Sequence, residues 1–530
     1  MSNEVAPLRA SRFLERALLF TIAMHGLAML SMALILLPGM SGGTSTTDAQ
    51  RIAYIANNAA LWRIGWLPWQ LTALSDLILA VALVRTKWIP KVPAVIVLLL
   101  TITAISFEQP GEFWWVTKAI ELARQAEETS NPQVYLMPEA HVFIQVAAWG
   151  ALFYTLAALF WTWCFAAAGT WCLSLTLLSI PTWLDLFFVS VAPLIPPGWK
   201  PAPNIVSGGN ALGFVMMMLW LVIVLEMVLR RSRPITKWGR EALFRHPVGG
   251  PAGWCLDLVA NSRAARYALE WMPSVAFASD IRDVIYINYI LPADRLEPLV
   301  PPGLKLERIG KEKEFAMFTF LTYRHGHFGP IMLRALSQCL PSPVQSNWRI
   351  HVIEPRSGRR AVTFITTAID DTACALAARL LSDGVAMHVP RRATLTRQEN
   401  GAIALELEPG IGTAPDARAD LVPGTPADSA QAWQKCFSSY EDMLSYCVPQ
   451  DHALSSLPWY RKFCRHEIEL GIPLDACEPL TGTVQSKAAA SIAQDAQAFC
   501  FRVARVNFLL ARTKYDADQT SNSHGELTAS

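Results

Sequence analysis

Six long apolar runs in the N-terminal 230 residues restrict what this chain can fold into more than any other feature. They are Ala17–Leu37, Ile64–Val84, Val92–Phe107, His141–Phe165, Ala166–Ile195 and Ala211–Leu229. A helix of about 20 apolar residues crosses the hydrocarbon core of a bilayer, so runs of this kind read as membrane spans. The third run is short, and Pro181 in the fifth predicts a kink rather than a break. The first run lacks a small-residue cleavage site and further spans follow it, which reads it as a retained helix and not a removable signal.

Lysine and arginine set the expected orientation. Arg9, Arg12 and Arg16 precede the first run, and Arg85, Lys87 and Lys91 fill the second connection. Arg230, Arg231, Arg233, Lys237, Arg240 and Arg245 follow the sixth. The third connection is acidic, with Glu108, Glu112, Glu121, Glu127 and Glu128. An even number of spans then puts both termini in the cytoplasm, in a multi-pass protein of a bacterial-type inner (plasma) membrane. The basic stretch after the sixth run is expected to lie on anionic headgroups, which makes membrane lipid one partner. The formal charge of +2 is near neutral and argues against nucleic acid as another. The cysteines are scattered, without zinc-finger spacing, and read as reduced thiols.

His25, Asp76 and Asp185 fall inside the runs. An ionisable group at membrane depth is costly, so these three are candidates for a proton or ligand site, with interhelical hydrogen bonding as the plainer reading. Glu226 lies one turn from Arg230 and belongs to the interface.

Past Arg245 the pattern changes to period-two alternation. "VIYINYIL", "EFAMFTFLTY", "NWRIHVI", "AVTFITTAI", "AIALELE" and the terminal "FCFRVARVNFLLARTKY" read as strands. "DTACALAARLLSDG" reads as a helix with Asp371 at its N-cap and a glycine stop. Many strands around few helices predict a soluble α+β domain, a strongly curved antiparallel sheet or β-barrel around a cavity. The expected organisation is a six-helix transmembrane domain over residues 1–230, a basic linker and lead-in helix over 231–278, the β-domain over 279–515 and a disordered tail over 516–530.

"YINYILPADRLEPLVPPGLKLERI", "FTFLTYRHGHFGP", "SPVQSNWRIHV" and "ALAARLLSDGVAMHVP" occur in that order. On these stretches the chain from about Asp283 to Tyr515 resembles the domain of unknown function 2071 family, a branch of the acetoacetate-decarboxylase-like superfamily. The resemblance implies a cone-shaped antiparallel β-barrel around a small-molecule cavity. The decarboxylases of that superfamily use a Schiff-base lysine, its pKa lowered by a neighbouring ammonium. Carried onto this chain, that lysine position is Met387 and its cationic neighbour is His388. A thioether cannot form an imine, so the resemblance implies binding without Schiff-base chemistry.

The polar residues suggest two sites. Arg324, Arg349 and His388 are the candidates for gripping a carboxylate and acting as base, with Tyr323, His325, His327, His351 and Met387 lining the ligand. On a strand, Arg349 and His351 share one face while Trp348 and Ile350 share the other. His325, His327 and His351 are the alternative, a metal site, but His-x-His is a weak signal and no cofactor is expected. The expected function is an integral membrane protein whose cytosolic domain binds a small carboxylate or carbonyl compound, whether or not it transforms it. The alternative is a ligand-sensing domain that regulates a transporting bundle.

Overall fold

In the computed structural model, the apolar runs are helices. Among the described residues, six are long and apolar enough to cross a membrane: Arg12–Gly39, Ala59–Arg85, Lys91–Val116, Gln133–Ala167, Leu173–Leu194 and Asn204–Ser232. The structure describes residues 5–232, 243–269, 277–332, 336, 339, 341–355, 357–382, 387–448, 452–457, 462–470 and 472–515. The expected linker arginines at 233 and 240, the tail from 516 and residues 384–386 beside Met387 lie outside these. The chain divides into two compact units, Met1–Pro234 and Ile235–Ser530.

Two boundaries differ from the sequence expectation. The third helix runs on to Val116, so Glu108 and Glu112 belong to it and not to an acidic connection. Local hydropathy stops the run at Phe107, but Glu112 is buried and hydrogen-bonds Gln109 at 2.9 Å, so its polarity is absorbed within the helix. The fifth span begins at Leu173 rather than Ala166, because the fourth ends at Ala167 and Gly169 turns the chain with φ +71°.

The second unit is built on a 13-stranded sheet. Its strands are β1 (Phe277–Pro292), β2 (Lys305–Leu306), β3 (Phe315–Pro330), β4 (Val344–Ile353), β5 (Arg360–Ile369), β6 (Met387–His388) and β7 (Arg392–Arg397). They continue with β8 (Ile403–Glu408), β9 (Ala417–Pro423), β10 (His452–Leu457), β11 (Lys462–Leu470), β12 (Cys477–Gln485) and β13 (Phe499–Tyr515). The order is β1-β3-β4-β5-β10-β11-β13-β12-β9-β8-β7, with β6 beside β5, and β1 also pairs β13. The expectation of purely antiparallel strands is corrected to a mixed sheet, which is not closed as a whole. β5 pairs β6 and β10 in parallel. A parallel neighbour needs a crossover, and the helix Thr372–Ala377, N-capped by Asp371 onto the Cys374 amide at 2.7 Å, supplies the one into β6.

The central strands are buried on both faces. Ile285, Ile287, Phe318, Phe320, Trp348 and Ile350 form one core, with Phe320 and Trp348 stacked at 4.4 Å. Ile281, Tyr286, Met317, Leu321 and Tyr323 form the other, beneath the helix Tyr440–Cys447 through Met443, Leu444 and Cys447. A strand covered on both sides is normally apolar throughout. β4 breaks that rule with Gln345, Arg349 and His351, all buried.

Candidate ligand site on the β4 face

Alternation places Gln345, Asn347, Arg349 and His351 on one face of β4, because Trp348, Ile350 and Val352 occupy the opposite core. Register then sets their neighbours: Tyr323 lies opposite Gln345, Leu321 opposite Asn347 and Thr319 opposite Arg349. One strand further, Tyr286 lies opposite Leu321 and Asn288 opposite Thr319. The result is a buried polar patch in an otherwise apolar core.

Half of the patch is saturated. His325 Nδ1 is 2.8 Å from the Ser279 hydroxyl, and its Nε2 is 2.8 Å from Gln345 Oε1. Gln345 Nε2 donates to Asn347 Oδ1 at 2.8 Å, and Asn347 Nδ2 donates to the Tyr323 hydroxyl at 3.0 Å. The row has a direction. Since Gln345 Oε1 accepts, His325 carries its proton on Nε2 and is neutral; burial lowers its pKa to about 4, and the Gln345 bond only partly opposes that. At the far end Tyr323 oxygen accepts, which leaves its O–H to donate.

The other half is not saturated. The Arg349 guanidinium is buried, with Cζ 5.5 Å from the Tyr286 ring centroid, and Tyr286 is held by stacking on Phe501 at 4.5 Å. The Tyr286 side chain interacts with the guanidinium, but among the described residues its Nε and Nη2 meet no hydrogen-bond partner of good geometry. Those two N–H groups form the side-on fork of a guanidinium, the edge that matches the two oxygens of a carboxylate. Burial lowers the Arg349 pKa, against opposing contributions from Tyr286 and Tyr323. Nearby, His351 stacks on Tyr446 at 4.8 Å and is held neutral, well below its ordinary pKa, by burial and by Arg349 and Arg360. Glu307 accepts from Arg360 at 2.6 Å, its Oε2 lies 3.9 Å from His351 Nδ1, and the Tyr446 hydroxyl is directed to the same carboxylate. Buried polar atoms are nearly always satisfied, so the open edge of Arg349 is an exception within this core.

The other expected residues are distributed differently. Arg324 is exposed and donates to the Leu395 carbonyl at 3.1 Å. His327 is exposed on an irregular stretch of β3, with φ +53°. His388 is buried, 2.6 Å from the Thr413 hydroxyl and stacked on Phe244 at 6.4 Å, and burial with Arg379 lowers its pKa to about 3. Arg324, Arg349 and His388 therefore have separate surroundings and do not converge. Met387 packs with Phe244, Ala260, Ile369 and Ala375, yet register through β5 sets it level with Thr367 and Asn347, beside the polar row. As for a metal, both nitrogens of His325 are engaged, and among the described residues no three His, Cys, Asp or Glu side chains are grouped to ligate one.

In the helical unit, His25 Nδ1 donates to the Thr21 carbonyl at 3.0 Å and its Nε2 is 3.7 Å from Asp76 Oδ2. Asp185 instead packs against Gly209 and Gly213. Sequence reasoning missed Tyr286, Gln345, Asn347, Tyr446 and Glu307. The alternation that picked out Arg349 and His351 also reaches Gln345 and Asn347; Tyr446 and Glu307 come from distant segments and carry no such signal.

Residues 278–433 match the DUF2071 family, described as an uncharacterized conserved protein. The DUF2071 match spans β1 to β9 and so includes Tyr286, Tyr323 and Arg349. No curated protein matches the chain. Among solved structures, an acetoacetate decarboxylase from Legionella pneumophila is 13% identical over 47% of this chain and 89% of its own, with a TM-score of 0.32. An acetoacetate decarboxylase-like enzyme from Sphingomonas wittichii is 11% identical over 47% and 95%, at 0.33. The enduracididine biosynthesis enzyme MppR, complexed with pyruvate, is 12% identical over 47% and 93%, at 0.31. Likeness at this level transfers no activity.

Proposed function

We propose that this is an integral membrane protein whose β-domain binds a small carboxylate or carbonyl compound, with Arg349 as the carboxylate clamp. The observation that carries the reading is the open Nε–Nη2 fork of a buried guanidinium. A buried charge without a counter-ion is costly, and an anionic ligand supplies the missing partner. Tyr323 supplies a further donor whose direction is set by the His325–Gln345–Asn347 row. Because β1 pairs both β3 and β13, the path through β4, β5, β10 and β11 returns to its start, which supports a barrel-like enclosure for this patch. Met387, in the position where the resemblance puts a Schiff-base lysine, makes the binding non-covalent.

The membrane reading rests on the six apolar helices. Its orientation, with both termini cytoplasmic, is supported by basic residues gathered at one end of the helical unit. Arg85 lies over Phe13 at 5.6 Å, Arg231 lies over Trp88 at 4.6 Å and Arg230 pairs Glu226 at 2.9 Å.

The test is calorimetric titration of the full chain in nanodiscs with acetoacetate, pyruvate and butyrate, and with acetamide as an uncharged control. Binding of a carboxylate that is lost in Arg349→Gln supports the site. Equal binding in the variant, or equal binding of acetamide, overturns it.

A further inference from the structure

The helix Gly250–Ala260 in the second unit wears its apolar side outward. Pro251, Trp254, Cys255 and Leu258 recur at i, i+3, i+4 and i+7 and are all exposed, with Trp254 at 63% and Leu258 at 51%. Val248 at 58% and Ile411 at 53% extend the patch, since Ile411 Cδ1 would lie 3.2 Å from a Cβ at Gly249. A helix on a water-soluble domain shows the opposite polarity. Its one ionisable group besides Cys255, Asp257, is turned to the domain, where Oδ1 accepts the His246 amide at 2.6 Å.

The helix is held firmly on its inner side. Asn261 bridges it to Phe244 through two hydrogen bonds of 2.8 Å, and Arg379 donates to the Ala260 carbonyl at 3.3 Å. The outward face is thus a fixed presentation and not a loosely attached segment.

We infer that this face lies in the interfacial zone of a lipid bilayer, as an amphipathic helix parallel to the surface. The composition fits that zone: a tryptophan and branched aliphatics on the face, with Arg245 and Arg391 at the rim. Arg245 precedes Val248 by three residues and is exposed; Arg391, exposed beside Gly410 and next to Ile411, stands 3.8 Å from the exposed Glu408. Arg245 beside the apolar face, with the Arg391–Glu408 pair at its edge, leaves a positive rim that complements anionic headgroups. Chain length favours the same occupant. Only residues 233–249 join the sixth apolar helix to this one, a reach of at most about 60 Å.

This inference is independent of the Arg349 site but rests on the chain being membrane-embedded, and the experiment separates the two. A benzophenone amino acid is placed at position 254, at Leu34 in the first apolar helix, or at Asn400 in the β7–β8 turn. Each full-length variant is irradiated in nanodiscs containing phosphatidylglycerol, and adducts are read by mass. The expected result is a lipid adduct at positions 34 and 254 and none at 400. Lipid at 34 with none at 254 overturns this inference alone, as does a protein adduct at 254, which would assign the face to a second copy or another protein. No lipid at either position overturns the membrane reading and this inference with it. Because the probe is itself apolar, it preserves the face, and retained retention volume on gel filtration checks folding.

Discussion

The Arg349 guanidinium stands 5.5 Å from the centre of the Tyr286 ring, yet among the described residues its Nε and Nη2 meet no well-placed acceptor. A group kept for stability is not normally left this way. Replacement by an apolar side chain relieves a desolvation cost, so Arg349→Met is expected to hold stability or raise it by about 1–4 kcal/mol, judged from buried charges replaced elsewhere. The same variant should lose carboxylate binding. Denaturant unfolding with and without acetoacetate measures both; a large loss of stability would show the arginine to be structural.

Arg502 provides the contrast within the same sheet. It is buried, but it donates to Asp283 at 3.0 and 2.7 Å and to Glu478 at 2.7 Å, tying β13 to β1 and β12. Both carboxylates are partly exposed, which tempers the cost of losing it. Arg502→Met is expected to destabilise by about 2–3 kcal/mol. An Arg502→Met variant as stable as the parent would refute the assignment of this triad as structural.

Buried neutral histidines make the β-domain acid-sensitive. His388 and His325 have folded pKa values lowered to about 3 and about 4, against 6.5 ordinarily. The unfolded chain binds more protons through that window, so their contribution is complete above pH 6.5 and is lost as the pH falls toward those values. Each should cost about 1.4 kcal/mol per pH unit on the way down. Melting temperatures between pH 7 and 5 should fall, and less steeply in His388→Gln. An unchanged slope would mean that His388 is not protonated on unfolding in this window.

Met387 bears on chemistry. Incubation with acetoacetate and cyanoborohydride should leave the intact mass unchanged, because Met387, at the position where the resemblance would put a lysine, has no amine to trap. A reduced adduct would reveal another lysine at work. The candidate to map first is Lys435, which donates to the Ile290 carbonyl at 3.2 Å and lies 4.9 Å over the Phe315 ring.

What the sequence by itself determined is whatever depends on neighbours along the chain. Apolar length marked six helices, alternation separated Arg349 and His351 from Trp348 and Ile350, and Asp371 announced a helix start. Helix ends were less legible at Val116, where a buried glutamate is satisfied within a helix that hydropathy alone would stop. Only the tertiary structure decided which polar residues meet. Arg324 and His325 are adjacent in sequence, but pleating sends one out to the Leu395 carbonyl and the other into the row with Gln345. His388 stands next to the expected nucleophile position, but Thr413 and Phe244, from distant segments, close around it. The physical reason is that burial and hydrogen-bond satisfaction are settled between strands brought together by register, and no local pattern encodes that partner.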